Sequence, residues 1–501
     1  MIAYFLKKRL QKMGDVVMTD KIKLGFAPTR RNIFSADSAI DFANRTRQKL
    51  NELEIDYVDI TNINDDGLLY DEAGRKQISA KFKAENIDGL FLPHCNFGTE
   101  YECARLAKDL NVPVLLWGPD KEGPNEEGIR LRDAQCGLFA TGKVLRRFNV
   151  PFTYIKNSDV NSADFKRGVQ DFVRVCNVVK VFRHTRILQI GPRPFDFWTT
   201  MVNEGELLEK FNIQLSPIPL TELVQEFKRV SKKQTEKVEA VVQKIEKAAQ
   251  IEVDKQDLEK IAVLKIALRN LCEQYSCNAG AIQCWTALQD EIGILPYAAE
   301  AFLQDEGLPI TCETDIHGAI SILINEAATL GEQRALFADW TVRHPQNKNA
   351  ELLQHLGVFP LSIAGTKPIL PREHFVFKYP GSVSFEAQMG DLTMCRFDGD
   401  HGEYSLLLGN AKCVPGPYNQ GSYVWVEVQN LNRLEQKLVY GPYIHHVAGV
   451  YADVVPIIAE ACKYIGIKAD FYDREMTERV EDYWAGNLES VFPEIGGSQN
   501  E

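Results

Sequence analysis

The chain has 501 residues, which at roughly 100–200 residues per domain predicts about three domains. Its apolar fraction of 45% and charged fraction of 25% are those of an ordinary globular protein and exclude a wholly disordered or membrane-embedded chain. With 57 Lys and Arg against 69 Asp and Glu, the net charge of −12 argues against a protein that wraps nucleic acid or lies on anionic lipid.

Residues 1–20 read as an N-terminal extension. The apolar run from Ile2 to Leu6 precedes Lys7, Lys8 and Arg9, the reverse of a secretory signal, and Met18 reads as an alternative start. No apolar stretch approaches the roughly 20 residues of a membrane helix. Eleven cysteines without repeated pair spacing read as reduced thiols, which places the protein in the cytoplasm. Apolar runs at 24–27 and 57–60 flank an amphipathic stretch at 36–53, a βαβ signature that recurs with strands at 87–93 and 112–118 around a helix at 99–110. In such sheets ligands meet the loops after the strands, here Pro28 to Ser35, Pro93 to Glu100 and Gly118 to Asp120.

A second α/β region begins near Val175, with a strand at 187–190 that ends in Gly191-Pro192-Arg193-Pro194-Phe195. Residues 221–274 read as helical with a solvated charged face. The run 308–312 enters Glu313-Thr314-Asp315-Ile316-His317, a strand delivering carboxylates to a helix start. Beyond about Pro360 come short strands at 383–389, 392–397, 404–408 and 423–428, then a helix at 454–465 and a loose tail at 496–501. The expected fold class is α/β: two Rossmann-like parallel-sheet domains, 21–174 and 175–359, followed by a C-terminal β-barrel-like domain, 360–501.

Three groups place metal-capable side chains at element ends: Glu300 in Tyr297-Ala298-Ala299-Glu300-Ala301, Asp315 with Glu313, and His446 in Tyr443-Ile444-His445-His446. Two carboxylates and an imidazole with open positions suit Mn²⁺ or a similar divalent ion better than a closed zinc site. Each also has an ordinary reading: a surface helix residue, a helix N-cap and a half-buried loop histidine. Cys272, Cys277 and Cys284 lack a CxxC pair and read as buried thiols. Neither a GxGxxG nor a phosphate loop is present, so no nucleotide cofactor is expected.

Taken in order, Pro28-Thr29-Arg30-Arg31, Asn96-Phe97-Gly98, Gly191-Pro192-Arg193-Pro194, Cys284-Trp285, Cys312-Glu313-Thr314-Asp315, Phe337-Ala338-Asp339 and Gly441 to Gly449 resemble the L-fucose and L-arabinose isomerase superfamily of metal-dependent aldose–ketose isomerases. The resemblance implies Glu300, Asp315 and His446 as metal ligands, with Glu300 and Asp315 also acting as acid/base groups. Arabinose-type enzymes use a glutamate where this chain has Ala338, so the chain reads as fucose-type. His355, at the site of another arabinose-type ligand, reads as a core or supporting histidine. Arg30, Arg31, His94, Arg193, Trp285, His317 and Trp340 are the candidate substrate contacts, whereas Trp425 reads as core. Some members act on sulfoquinovose, whose sulfonate would need Arg or His partners. That is the alternative to the fucose/arabinose reading, and His317 is one residue that would report on it. The resemblance further implies a homo-oligomer, commonly a hexamer, in which Arg30 and His94 serve a neighbour's site. A rival of another class is a non-catalytic sugar-binding or sensor protein, which has no need of the metal residues.

Overall fold

Short apolar runs near the start of the chain form β1 (Lys23–Phe26), β2 (Asp56–Val58), β3 (Gly89–Pro93), β4 (Val114–Trp117) and β5 (Thr153–Tyr154), all parallel in the order β2-β1-β3-β4-β5. The computed structural model describes residues 21–120 and 123–492; the expected N-terminal extension and the tail at 496–501 lie outside the described residues. β3 and β4 are buried at every position, as strands covered on both faces must be. Alternate residues feed two cores, Phe91 and Leu115 on one face, Leu90, Leu92 and Leu116 on the other. Ser35, Asp71 and Ser162 cap helices Ala36–Glu52, Glu72–Ala84 and Ala163–Arg183 through their side chains. The strand order reverses between β1 and β3, so the loops after these two strands face each other, the position where such sheets bind ligands.

β6 (Arg186–Ile190), β7 (Gln214–Ile218), β9 (Ala279–Ile282) and β10 (Ile310–Thr311) form a second parallel sheet in the order β10-β9-β6-β7. The short β8 (Gln250–Ile251) pairs instead with β13 (Ile369–Leu370). The charged stretch before β9 is three helices, Leu220–Lys233, Thr235–Ala248 and Lys255–Tyr275.

The third unit is a closed barrel. β11 (Leu336–Arg343), β12 (Ala350–His355), β15 (Asp391–Asp400), β16 (Glu403–Cys413), β17 (Ser422–Glu427) and β18 (His446–Val450) are antiparallel neighbours in the order β17-β12-β11-β18-β15-β16. β16 pairs back onto β17 through Lys412↔Glu427 and Cys413↔Val426, which closes six strands into a ring. β14 (Phe385–Glu386) and β19 (Lys468–Phe471) extend it at the sides. β11 and β12 precede residue 360 but belong to the barrel, because the apolar run Leu336-Phe337-Ala338 has none of the alternation that marks an exposed strand. Helix Ala163–Arg183 likewise runs unbroken across 174, with no Gly or Pro after Gly168 to stop it.

Helix Ile316–Ala328 is buried at all thirteen positions, against β9, β15, β18 and helix Ala163–Arg183. Its N-cap is Asp315, whose Oδ1 accepts from the Gly318 N–H at 2.9 Å. An enclosed helix cannot fray, so its first turn is a fixed point beside the barrel. No helix among the described residues is long and apolar enough to cross a membrane.

Candidate metal centre

β10 leads into the turn Cys312–Thr314, where Glu313 and Thr314 both take left-handed backbone, φ 58° and 54°. Left-handed backbone costs a residue with a Cβ about 1–2 kcal/mol, so two in succession persist only where surroundings enforce them. Three threonine hydroxyls do so: Thr314 Oγ1 donates to Pro192 O (3.1 Å), Thr200 Oγ1 to Glu313 O (3.3 Å) and Thr311 Oγ1 to Asp315 O (2.8 Å). The turn brings the Glu313 carboxylate to one end of the barrel. There His446 Nε2 lies 3.1 Å from Glu313 Oε2 and 3.3 Å from Asp339 Oδ1. Among the described residues two groups could hold an ion, Glu313 with His355 and His446, and Asp339 with His445 and His446. They share His446 and form one centre. Trp285 Nε1 donates to the other Glu313 oxygen at 3.4 Å.

The residues fit a divalent cation. Burial opposes ionisation of Asp315, but Arg396 and His446 outweigh it and hold the carboxyl well below the usual range. An ionised Asp315 2.7 Å from His446 Nδ1 holds a ring proton there, so Nε2 is the nitrogen that can give up its proton and offer a lone pair to a cation beside Glu313 and Asp339. That nitrogen, both nitrogens of His355 and Asp339 Oδ1 are buried without hydrogen-bond partners. Acceptor atoms gathered in a largely buried pocket repel unless positive charge, a proton or a metal ion, stands between them. Burial of His446 opposes its charged form, yet the carboxylates of Asp315, Glu313 and Asp339 raise it to about 10. The pocket therefore favours a positive charge at this point, and its nitrogen and oxygen donors, with no thiolate, suit an ion such as Mn²⁺.

The expected trio of Glu300, Asp315 and His446 does not form one such group. Asp315 is fully buried and its oxygens are occupied: Oδ1 by Gly318 N and Arg396 Nη2 (3.1 Å), Oδ2 by His446 Nδ1 and Arg396 Nη1. It is the helix cap and the partner of His446. Glu300, on helix Tyr297–Asp305, lies behind the turn and accepts from Cys312 Sγ at 2.8 Å. Burial pushes Glu300 up to about 8, with the Cys312 bond opposing and the charge of Glu313 adding. His355, expected in a supporting role, has two buried unpartnered nitrogens and can offer one of them to the centre. The carboxylate thought missing at Ala338 comes one residue later, from Asp339, which pairs across the sheet with His446. No alternation marks this segment as a strand, so the pairing of Asp339 with His446 is visible only in the structure.

The substrate candidates divide. Trp285 lies at the rim, with Phe197 (ring centroids 5.5 Å) and Phe377 (6.1 Å), and Phe197 also faces His445 (6.4 Å). Arg193 follows Pro192, which the Glu313–Thr314 turn grips; its Nε is buried without a partner, and among the described residues it forms no ion pair. Arg30 and Arg31 sit instead at the β1/β3 switch point. Arg30 pairs with Asp66 and covers Tyr70, and Arg31 donates to Gly98 O and covers Phe97. His94 is fully buried beneath them, Nε2 2.8 Å from Thr141 Oγ1 and Nδ1 3.3 Å from Leu92 O, and burial pushes it down to about 4. Neither nitrogen is left for a sugar. Gly98 must be glycine there: its φ is +73°, and a Cβ would stand 2.7 Å from His94 Cδ2. His317 is buried behind Asp315 with Nδ1 2.9 Å from Asp398 Oδ1, so it does not face the rim either. Trp340 packs in the apolar core with Ala338 and Leu353, and Trp425 with Leu352 and Tyr423. Cys272, Cys277 and Cys284 are buried free thiols.

Residues 25–183, the first sheet and its helices, match the family model described as the N-terminal domain of fucose/sulfoquinovose isomerase. A sulfoquinovose isomerase from Priestia aryabhattai is 24% identical over 400 residues, 78% of this chain and 86% of that protein. The chain is similar to the fucose isomerase-like superfamily, by family model over its first domain and by relatives over most of its length. A second relative of this fucose isomerase-like protein, the sulfoquinovose isomerase of Alkalicoccus urumqiensis, is 27% identical over 360 residues, 70% of this chain and 78% of that protein. Among solved structures, an ABC transporter solute-binding protein from Bacillus halodurans with bound myo-inositol covers 63% of this chain and 91% of its own. At 11% identity and a TM-score of 0.16, that likeness bears on neither fold nor function.

Proposed function

We propose that this fucose isomerase-like protein is a Mn²⁺-dependent aldose–ketose isomerase whose substrate is a sulfonated sugar of the sulfoquinovose type. The relatives favour this over the fucose/arabinose reading, since both long matches carry the sulfoquinovose isomerase name. The observation that carries the isomerase reading is the convergence of unpartnered donors from Asp339, His355 and His446 on Glu313.

Interconverting an aldose and a ketose moves one proton between C1 and C2 and another between O1 and O2, through an ene-diol. A divalent ion held by Glu313, Asp339, His355 and His446 would supply Lewis-acid polarisation of the two oxygens. Burial opposes ionisation of Glu313, but His446 and His355 outweigh it, so the group stands as a carboxylate with room to accept a proton. Glu313 and Asp339 approach His446 Nε2 as separate carboxylates, and we assign them the proton transfers. Glu300 is the neutral acid behind them. Phe197, Trp285 and Phe377 cover the sugar and keep water from it. Arg193, with no carboxylate to neutralise it, is assigned to the sulfonate. Arg30 and Arg31 are assigned to the site of a neighbouring copy in a homo-oligomer, hexameric by the family resemblance, and the free thiols fit a cytoplasmic location.

The test is Mn²⁺-dependent ketose formation from sulfoquinovose, L-fucose, D-arabinose and L-arabinose. Sulfoquinovose should be converted with the highest kcat/KM, and Glu313→Gln should lower kcat by roughly 100-fold or more. Arg193→Gln should raise KM for the sulfonated sugar about tenfold and leave that for neutral sugars near its original value. Full activity in Glu313→Gln, or equal turnover of neutral sugars, would overturn the respective halves of the reading.

A further inference from the structure

A line of buried charges behind the centre has no task in the chemistry above. Arg396, on β15, is 1% exposed and grips both oxygens of Asp315. Its Nε donates to Asp398 Oδ2 at 2.8 Å. The other Asp398 oxygen accepts from Gly399 N and lies 2.9 Å from His317 Nδ1. The run His446, Asp315, Arg396, Asp398, His317 thus crosses from the metal centre into a core of apolar side chains, Phe397 among them.

Stability does not explain this line, because well-packed apolar residues of similar volume are often at least as stable as a buried ion pair. What such a network can provide is a fixed orientation. The cap bond from Gly318 N holds only Oδ1 of Asp315, which leaves the carboxylate free to turn about its last bond. The two-pronged guanidinium removes that freedom and sets Oδ2 2.7 Å from His446 Nδ1. We propose that Arg396 is a positioning residue for the metal centre: it fixes the plane of Asp315, and so the direction of His446 Nε2, while Asp398 and His317 fix Arg396. This rests on the reading of the centre as a metal site.

Arg396→Lys keeps the charge but loses the fork, and Asp398→Asn loosens the guanidinium while leaving it and Asp315 in place. Each would be compared with the unmodified protein by titration with Mn²⁺ alone, by the electron paramagnetic resonance spectrum of bound Mn²⁺, and by the Tm of metal-free protein. Both variants should keep their metal-free Tm within a few degrees, bind Mn²⁺ roughly 10–100-fold more weakly and show an altered spectrum. A folded Arg396→Lys that binds Mn²⁺ within twofold of the original, with the same spectrum, would overturn the proposal. Should Arg396→Lys not fold, the same result in Asp398→Asn would overturn it. If the unmodified protein itself bound no Mn²⁺, the metal reading beneath the proposal would fail instead.

Discussion

Glu300 is a carboxyl group in surroundings that suit only its neutral form. Its folded value near 8 against an ordinary 4.5 means that the folded chain holds a proton the unfolded chain has released. The stability from this neutral acid is complete below about pH 4.5 and is lost as pH rises through 8. Glu300→Gln, which mimics the neutral acid, removes that dependence. Urea unfolding of metal-free protein should show the original losing stability relative to Glu300→Gln by on the order of 1.4 kcal/mol per pH unit between about pH 5 and 8, and no further difference from pH 8 to 9. Parallel pH profiles would refute it. At this scale the sequence pointed to the right neighbourhoods but not always to the right atoms. The sequence singled out His446 and Asp315, and the structure places them in contact. The sequence did not show which carboxylate of Glu313 and Asp315 faces the barrel, because only backbone angles reveal that two successive left-handed residues turn Glu313 to the barrel and leave Asp315 to cap the helix.

Helix Ile316–Ala328 ends at Thr329 and is followed by Leu330, φ 54°, and Gly331, φ 77°. Leucine has no advantage in left-handed backbone, and Leu330 is 39% exposed. Leu330→Gly should therefore gain up to about 1 kcal/mol in urea unfolding; a loss would mean that its remaining apolar contact outweighs the backbone. Elements whose pattern matched their setting were readable. β1, β3 and β4 and helices Ala36–Glu52 and Glu100–Leu110 fall within two or three residues of the runs that announced them, whereas helix Glu72–Ala84 was not read from the sequence. The tract at 221–274 instead holds three helices, one break lying at Gln234, φ −127°, where no Gly or Pro marks it. β11 and β12 were hidden for the opposite reason, since burial on both faces erased the alternation that marks a strand.

The three units are tied together at both ends of the chain. Thr153 Oγ1 at the edge of the first sheet donates to Glu460 Oε1 (2.7 Å), Tyr464 Oη to Val114 O (3.0 Å) and Tyr483 Oη to Asp171 Oδ2 (2.7 Å). The centre adds a further tie, with Glu313 from the central α/β unit and Asp339, His355 and His446 from the barrel. An ion bound there stabilises the whole chain by mass action, about 2.7 kcal/mol at 100 times its Kd. Thermal unfolding should accordingly shift upward with Mn²⁺ and downward with a chelator, and Glu313→Gln should abolish most of the shift. An unchanged Tm with excess Mn²⁺ would remove the centre from the account of the fold.

The closure of the barrel through β16 and β17 has a kinetic consequence. β11, β12 and β18, which carry Asp339, His355 and His446, are each hydrogen-bonded on both sides, so none can peel away without breaking two ladders. The Glu313 turn is held by three threonine hydroxyls and two left-handed residues that would relax if released. On the proposed metal reading, the turn and not the sheet is the part of the centre that can open, so removing the Thr200 or Thr314 hydroxyl should speed the release of Mn²⁺ more than it weakens the fold.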